Sequence, residues 1–268
     1  MAASTLTALR VLIRLSLATE LQYRVNLLQS LIGGAAAQAT QLLFIGVILT
    51  SFGAIGGWSA SEVMLLVGLR MAAHAIYAFF FRRVIDNDRV VHTGEFDRYL
   101  LRPVPAFLQL LTRQFNLQQL GDIFIAAAVL GVAVRNASID WTFGLALFCG
   151  ASVIGGGLIE ASLQTIRAAA AFRLANTDAL IGTIDSLVGT YSNFPLQIFG
   201  GFASAFFTFA VPLAFIAWAP AAILLNRSAD LGFPAEIAWS TPAFGPILMM
   251  LAVTVYHLES RHYSSPGS

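Results

Sequence analysis

From Asp185 to Arg227 the chain runs for 41 residues without a charged side chain, and from Arg24 to Glu62 for 37. Both runs exceed the roughly 20 apolar residues that an α-helix needs to cross the hydrocarbon core of a bilayer. A soluble domain carries about 25% charged residues, whereas here the share is 11%, against 57% hydrophobic. The chain therefore reads as an all-α integral membrane protein, and its few charges mark where the spans end.

Division at the charges gives six expected spans: Leu27–Leu49, Val63–Phe81, Gln114–Val134, Trp141–Ile166, Leu196–Trp218 and Ile237–Leu258. The fifth is set by Asn193 and Pro195, which should break the long uncharged run. Ahead of the first span, residues 1–26 place Leu6, Leu9, Ile13, Leu17 and Leu21 at helical spacing with Arg10, Arg14 and Arg24 off that line. This pattern suits an amphipathic helix lying in the interface. The same stretch lacks the short apolar core and small-residue cleavage site of a signal peptide.

All fifteen basic residues are arginine. The connections on one side hold twelve of them: Arg10, Arg14, Arg24, Arg82, Arg83, Arg89, Arg98, Arg102, Arg113, Arg167, Arg173 and Arg261. The other side holds Arg135 and Arg227, and Arg70 falls inside a span. Short loops rich in Lys and Arg stay in the cytoplasm, so both termini are expected there, with residues 50–61, 135–140 and 219–236 as outer loops.

Composition also excludes chemistry. Without lysine there is no Walker A loop and no Schiff base. A net charge of +1 does not offset nucleic-acid phosphates. One cysteine, Cys149, and four His offer neither a disulfide nor a zinc cluster. His-Glu-x-x-His, Gly-x-Ser-x-Gly and Cys-x-x-Cys are all missing. No enzyme activity, metal or cofactor is expected in this chain.

The longest polar stretch, residues 82–113, mixes Asp86, Asp88, Glu95 and Asp97 with six arginines. Such mixed charge, with Phe96, Tyr99, Leu100 and Leu101, suits docking on another protein better than a lipid-binding basic patch. Within it, Gly94-Glu95-Phe96-Asp97-Arg98-Tyr99-Leu100-Leu101-Arg102-Pro103 resembles the "G-x-hydrophobic-D-x-x-L-x-x-P" signature of ABC type-2 exporter permeases. Asn193-Phe194-Pro195-Leu196-Gln197-Ile198-Phe199, followed by Val211-Pro212, Ala219-Pro220-Ala221 and Leu224-Leu225, resembles a second pattern of that family. The stretch Arg261–Gly267 is similar to its usual ending. The resemblance implies a six-span permease that pairs with a second permease, identical or related, and with a dimer of separate ABC ATPase subunits that hold ATP and Mg. It also implies a coupling helix between spans two and three that enters a groove on the ATPase, with Gly94, Glu95, Asp97, Leu100, Arg102 and Pro103 as the coupling residues. The expected location is the cell inner (plasma) membrane.

Polar groups at membrane depth are costly unless paired or wet. Arg70 and His74 share a face of span two, Glu160 lies near the inner end of span four, and Asp122 lies near the start of span three. Gln38 and Gln41 lie in span one, where interhelical hydrogen bonding is expected. These six residues are candidates for a substrate path or for structural pairing. The phenylalanines of the fifth expected span could face a lipophilic or amphiphilic cargo. An alternative reading is an ion- or proton-coupled secondary transporter with Arg70, Glu160 and Asp122 as its relay.

Overall fold

The computed structural model describes residues 24–113, 119–174 and 177–265. Most of the expected interfacial helix, residues 1–23, lies outside the described residues, as does the beginning of the expected third span. The described chain is all-α apart from one two-residue strand pair. Three of its helices are long and apolar enough to cross a membrane: Ala60–Phe80, Phe143–Ala170 and Thr241–His262.

Helix α1 (Arg24–Phe52) leads to a hairpin of β1 (Ala54–Ile55) and β2 (Trp58–Ser59). Gly56 and Gly57 supply the turn with φ of +59° and +82°, values that side chains with a Cβ resist. Helix α2 (Ala60–Phe80) begins where the Glu62 carboxylate accepts from the Ser59 backbone N–H at 2.7 Å, closing one of the open donors of the first turn. A connection of short helices follows, namely a 3-10 turn (Arg82–Asp86), α3 (Asn87–His92), α4 (Phe96–Leu100) and α5 (Ala106–Thr112). Then come α6 (Leu120–Asn136), α7 (Phe143–Ala170), α8 (Asp178–Tyr191), α9 (Gly201–Ala205), α10 (Trp218–Leu224), α11 (Ala235–Trp239) and α12 (Thr241–Glu259).

The core forms where α7 meets three neighbours through three consecutive glycines. A Cβ on Gly155 would lie 2.7 Å from the Thr241 carbonyl oxygen of α12. On Gly156 it would lie 2.7 Å from the Ile216 carbonyl oxygen, and on Gly157 2.7 Å from that of Ala73 in α2. Helices in lipid gain little from hydrophobic transfer against one another, so close backbone approach and the dispersion it allows drive their association. Gly245 of α12 presses back on Gly155, and Gly68 of α2 sits against the Leu130 backbone of α6. Helices α2, α7 and α12 run in the same direction, away from the end that carries the β1–β2 hairpin, which is called the outer end, and α12 begins beside Gly155, twelve residues into α7.

Residues 196–218 are not one continuous helix, which corrects the expected fifth span. Pro195 is extended, Gly200 has a φ of +86°, and Pro212 cannot continue the π-helical turn Phe206–Ala210. The chain instead travels from Thr177, bonded at the inner end to Asp88, up α8 to Gln197, whose side chain reaches the Gly56 carbonyl at the outer end. Residues 201–224 then dip inward and return as a re-entrant hairpin. Irregular backbone at this depth survives only when buried in protein, and residues 212–224 are all buried. The expected outer loop 219–236 therefore begins with core. At its far end Arg227 donates to Glu62, Asp230 and the Gly57 carbonyl and lies 5.1 Å from the Trp58 ring centroid, tying the hairpin to the start of α2.

Gly157→Val should abolish recovery of monodisperse protein in size-exclusion chromatography, because the new side chain meets the α2 backbone. Gly150→Ala, whose Cβ would face open space, should elute as the parent does.

Candidate functional site: an inner platform and a buried polar set

The charged connection between α2 and α6 folds into a platform across the inner ends of α7 and α12. Helix α3 ends at Thr93, and Gly94, with a φ of +73°, turns the chain into α4. This left-handed turn needs glycine. Five residues cannot hold a helix unaided, so α4 depends on its anchors. Phe96 and Tyr99 point inward, and Phe96 meets the Phe172 ring at 5.0 Å. The buried Gln109 amide donates to the carbonyls of Tyr99 and Val104 at 2.8 and 2.7 Å, fixing the turn that leads to Pro105. Glu95 pairs with both Arg89 and Arg113. On the other face, Leu100 is 61% and Leu101 85% exposed, with Arg98, Arg102 and Pro103 beside them.

Asn87 and Arg167 join this platform to the long helices. Asn87, fully buried, donates to the Ala168 carbonyl of α7 and accepts from the Tyr256 hydroxyl of α12, each at 2.7 Å. Arg167, also buried, bonds Gln164, Thr177 and the Val84 carbonyl. Gln164 in turn donates to Asp185 of α8, and Thr177 donates to Asp88 of α3. A line of polar contacts thus runs from Asp185 of α8 to α3. Gln109, Asn87, Gln164 and Thr177 were not singled out from sequence. The only trace in the sequence is the spacing of Gln164 and Arg167, three residues apart on one helix face.

The candidates at membrane depth fall into two sets. His74 Nδ1 and Glu160 Oε1 are 2.7 Å apart, and buried Arg70 lies within electrostatic reach of Glu160 and of Asp185. Arg70 Nε, Glu160 Oε2 and the Tyr77 hydroxyl are enclosed without a hydrogen-bond partner. Asp122 belongs elsewhere: its carboxylate meets the Gln38 amide at 3.5 Å between α6 and α1. Gln41 lies on α1, and its side chain is outside the described structure.

Between α7 and α8 lies a cavity of about 290 Å³, walled by Leu163, Ile166, Leu180 and Ile184, with Arg167 at its edge. The phenylalanines that were candidates for a cargo path are divided: Phe207 and Phe215 pack in the core, whereas Phe202 and Phe209 face outward. Among the described residues no three His, Cys, Asp or Glu side chains are grouped to hold a metal ion.

The profile of the family described as ABC-2 family transporter protein matches residues 35–267. The chain belongs to that family. No curated protein and no solved structure matches it. As an ABC-2 permease it is a membrane transport subunit, of the kind that works with an ABC ATPase. The matched range contains both the platform and the buried polar set.

Glu160→Ala removes the acidic partner of His74 and leaves Arg70 buried with less compensation. Breaking a buried pair from one side costs about 3 kcal/mol or more, so the thermal midpoint of the detergent-solubilised protein should fall clearly. Glu160→Gln, which keeps an acceptor for His74, should lower it by less.

Proposed function

We propose that this ABC-2 permease is the membrane subunit of an ATP-driven exporter, crossing the membrane six times with the platform in the cytoplasm. The crossings are α1, α2, α6, α7, α8 continued to Phe199, and α12. A second permease, identical or related, completes the membrane part, and two ABC ATPase subunits supply ATP, Mg and hydrolysis. The platform end carries Arg24, Arg82, Arg83, Arg89, Arg98, Arg102, Arg113, Arg167, Arg173 and Arg261. The hairpin end carries only Arg135 and Arg227, an imbalance that favours a cytoplasmic platform.

The observation that carries the reading is the shape of α4. Its inward aromatics are locked while Leu100 and Leu101 stand out of the surface beside charged neighbours. Leucines so exposed at a polar membrane face suit a groove on a partner protein. Closure of the ATPases on ATP would press on Gly94–Pro103, and the contacts at Asn87 and Arg167 would pass that displacement into α7, α8 and α12 as a rigid-body shift. The cargo is proposed to be lipophilic or amphiphilic, in keeping with the aliphatic cavity between α7 and α8. The secondary-transporter reading loses ground, because Asp122 does not join Arg70 and Glu160.

Leu100→Asp combined with Leu101→Asp should leave the thermal midpoint unchanged, since both side chains are already largely exposed. It should abolish recovery of the co-expressed ABC ATPase with the affinity-tagged permease. Recovery at the parental level would overturn the docking assignment.

A further inference from the structure

Beyond α12 the chain makes a 3-10 turn, Ser260–His262, and then extends back along the platform. The Tyr263 ring lies 4.8 Å from that of Phe96 and 6.4 Å from that of Phe172. Two residues later the Ser265 hydroxyl donates to Asp97 Oδ2 at 2.8 Å. The Tyr263 hydroxyl is enclosed, and burial together with the neighbouring Asp97 carboxylate pushes this phenol above its ordinary value. Upstream, Arg173 at the end of α7 holds both Glu259 and His262, which fixes the direction in which the segment leaves α12. The first two residues of α4, Phe96 and Asp97, are thus covered by residues more than 160 positions later in the chain.

Helix α4 has one intrinsic weakness, its length. A single turn gains almost nothing from its own hydrogen bonds against the cost of ordering them. The Gln109 amide holds its C-terminal end, and Glu95, the residue before the helix, is tethered by Arg89 and Arg113. Phe96 and Tyr99 seat one face of the helix, and at its N-terminal end Phe96 and Asp97 are also gripped by Tyr263 and Ser265. Without that grip Phe96 would keep the Phe172 and Tyr99 rings and lose the nearest of its three aromatic neighbours, Tyr263 at 4.8 Å.

We infer that Tyr263–Ser265 is a clasp that holds α4 in its docking orientation and forms part of the ATPase-docking element, resting on the proposed docking function of α4. Tyr263 and Ser265 are positioning residues. The clasp also joins the docking helix directly to α12, so a push on α4 reaches α12 without first travelling along α2 or α7. Two independent motifs of the sequence, one around Asp97 and one at Tyr263–Ser265, thereby become a single structural unit.

The test uses the full permease co-expressed with its ABC ATPase. Because the chain has no lysine, trypsin cuts it only at arginine, and the Arg98–Tyr99 bond within α4, between an exposed arginine and a buried tyrosine, reports directly on how firmly that helix is held. In Tyr263→Ala/Ser265→Ala, and in a chain stopped after His262, cleavage there should rise about tenfold, because proteolysis follows the population of the locally opened state. Permease-dependent stimulation of the ATPase should fall about tenfold, within the range by which coupling residues act. Tyr263→Phe keeps the ring and should restore both readouts to near the parental values, which general destabilisation of the platform would not allow. Parental cleavage and stimulation in Tyr263→Ala/Ser265→Ala would overturn the clasp. Failure of the parental permease to retain any ATPase would instead overturn the docking reading, and the cleavage rate would then decide by itself whether the segment holds α4.

Discussion

Three glycines in a row on α7 permit three different backbones to touch one helix. Gly155 admits α12, Gly156 admits the returning arm of the re-entrant hairpin, and Gly157 admits α2. Successive helix positions turn by about 100°, so consecutive residues face well-separated directions, and a Gly-Gly-Gly run opens a wide arc where a single glycine would open one seam. The rest of the arrangement follows from this. The hairpin can be buried because α7 yields room for its carbonyls, and α2 approaches closely enough for His74 to reach Glu160 one turn below. A larger side chain at any of the three positions would push out one wall and leave polar backbone facing hydrocarbon.

The inner platform solves a different problem, that of holding short helices at a water-facing surface. Aromatic rings at Phe96, Tyr99, Phe107, Phe172, Tyr256 and Tyr263 form its underside, while the buried Gln109 amide satisfies carbonyls at the end of short α4 and in the turn after it, and the Asn87 amide satisfies the Ala168 carbonyl at the end of α7. An apolar layer alone would let α4 slide, whereas amides bonded to particular carbonyls give it a single seating. This division of labour, rings for cohesion and amides for register, is what lets a connection of about thirty residues carry a defined shape.

Much of this was legible in the residues. Division of the chain near its charges anticipated long apolar helices where Ala60–Phe80, Phe143–Ala170 and Thr241–His262 lie, and six of the arginines belong to the stretch that folds into the platform. The motif at Gly94–Pro103 spans α4, and its first residue, Gly94, takes a positive φ where the chain turns into that helix. What could not be read was the path after α8. An uncharged stretch has the same composition whether it crosses the bilayer or doubles back, and only Gly200, Pro195 and Pro212 hinted at the break. Gln164, Asn87 and Thr177 were also invisible, because such a polar residue acquires its meaning from partners more than 80 positions away or on another helix. Asp122 shows the converse: its depth suggested a common relay with Glu160, but its carboxylate meets Gln38 of α1 instead.

At the outer end, Arg227 binds Glu62, Asp230 and the Gly57 carbonyl while lying against Trp58. One guanidinium therefore rivets the β1–β2 turn, the first turn of α2 and the base of the re-entrant hairpin into a single rigid cap. Parting α2 from the hairpin would require ion pair, hydrogen bonds and ring contact to be lost together. Among the described residues helix α1 meets its neighbours mainly along α6 and none of the Arg227 contacts falls on it, so drawing α1 and α6 apart would leave the cap whole.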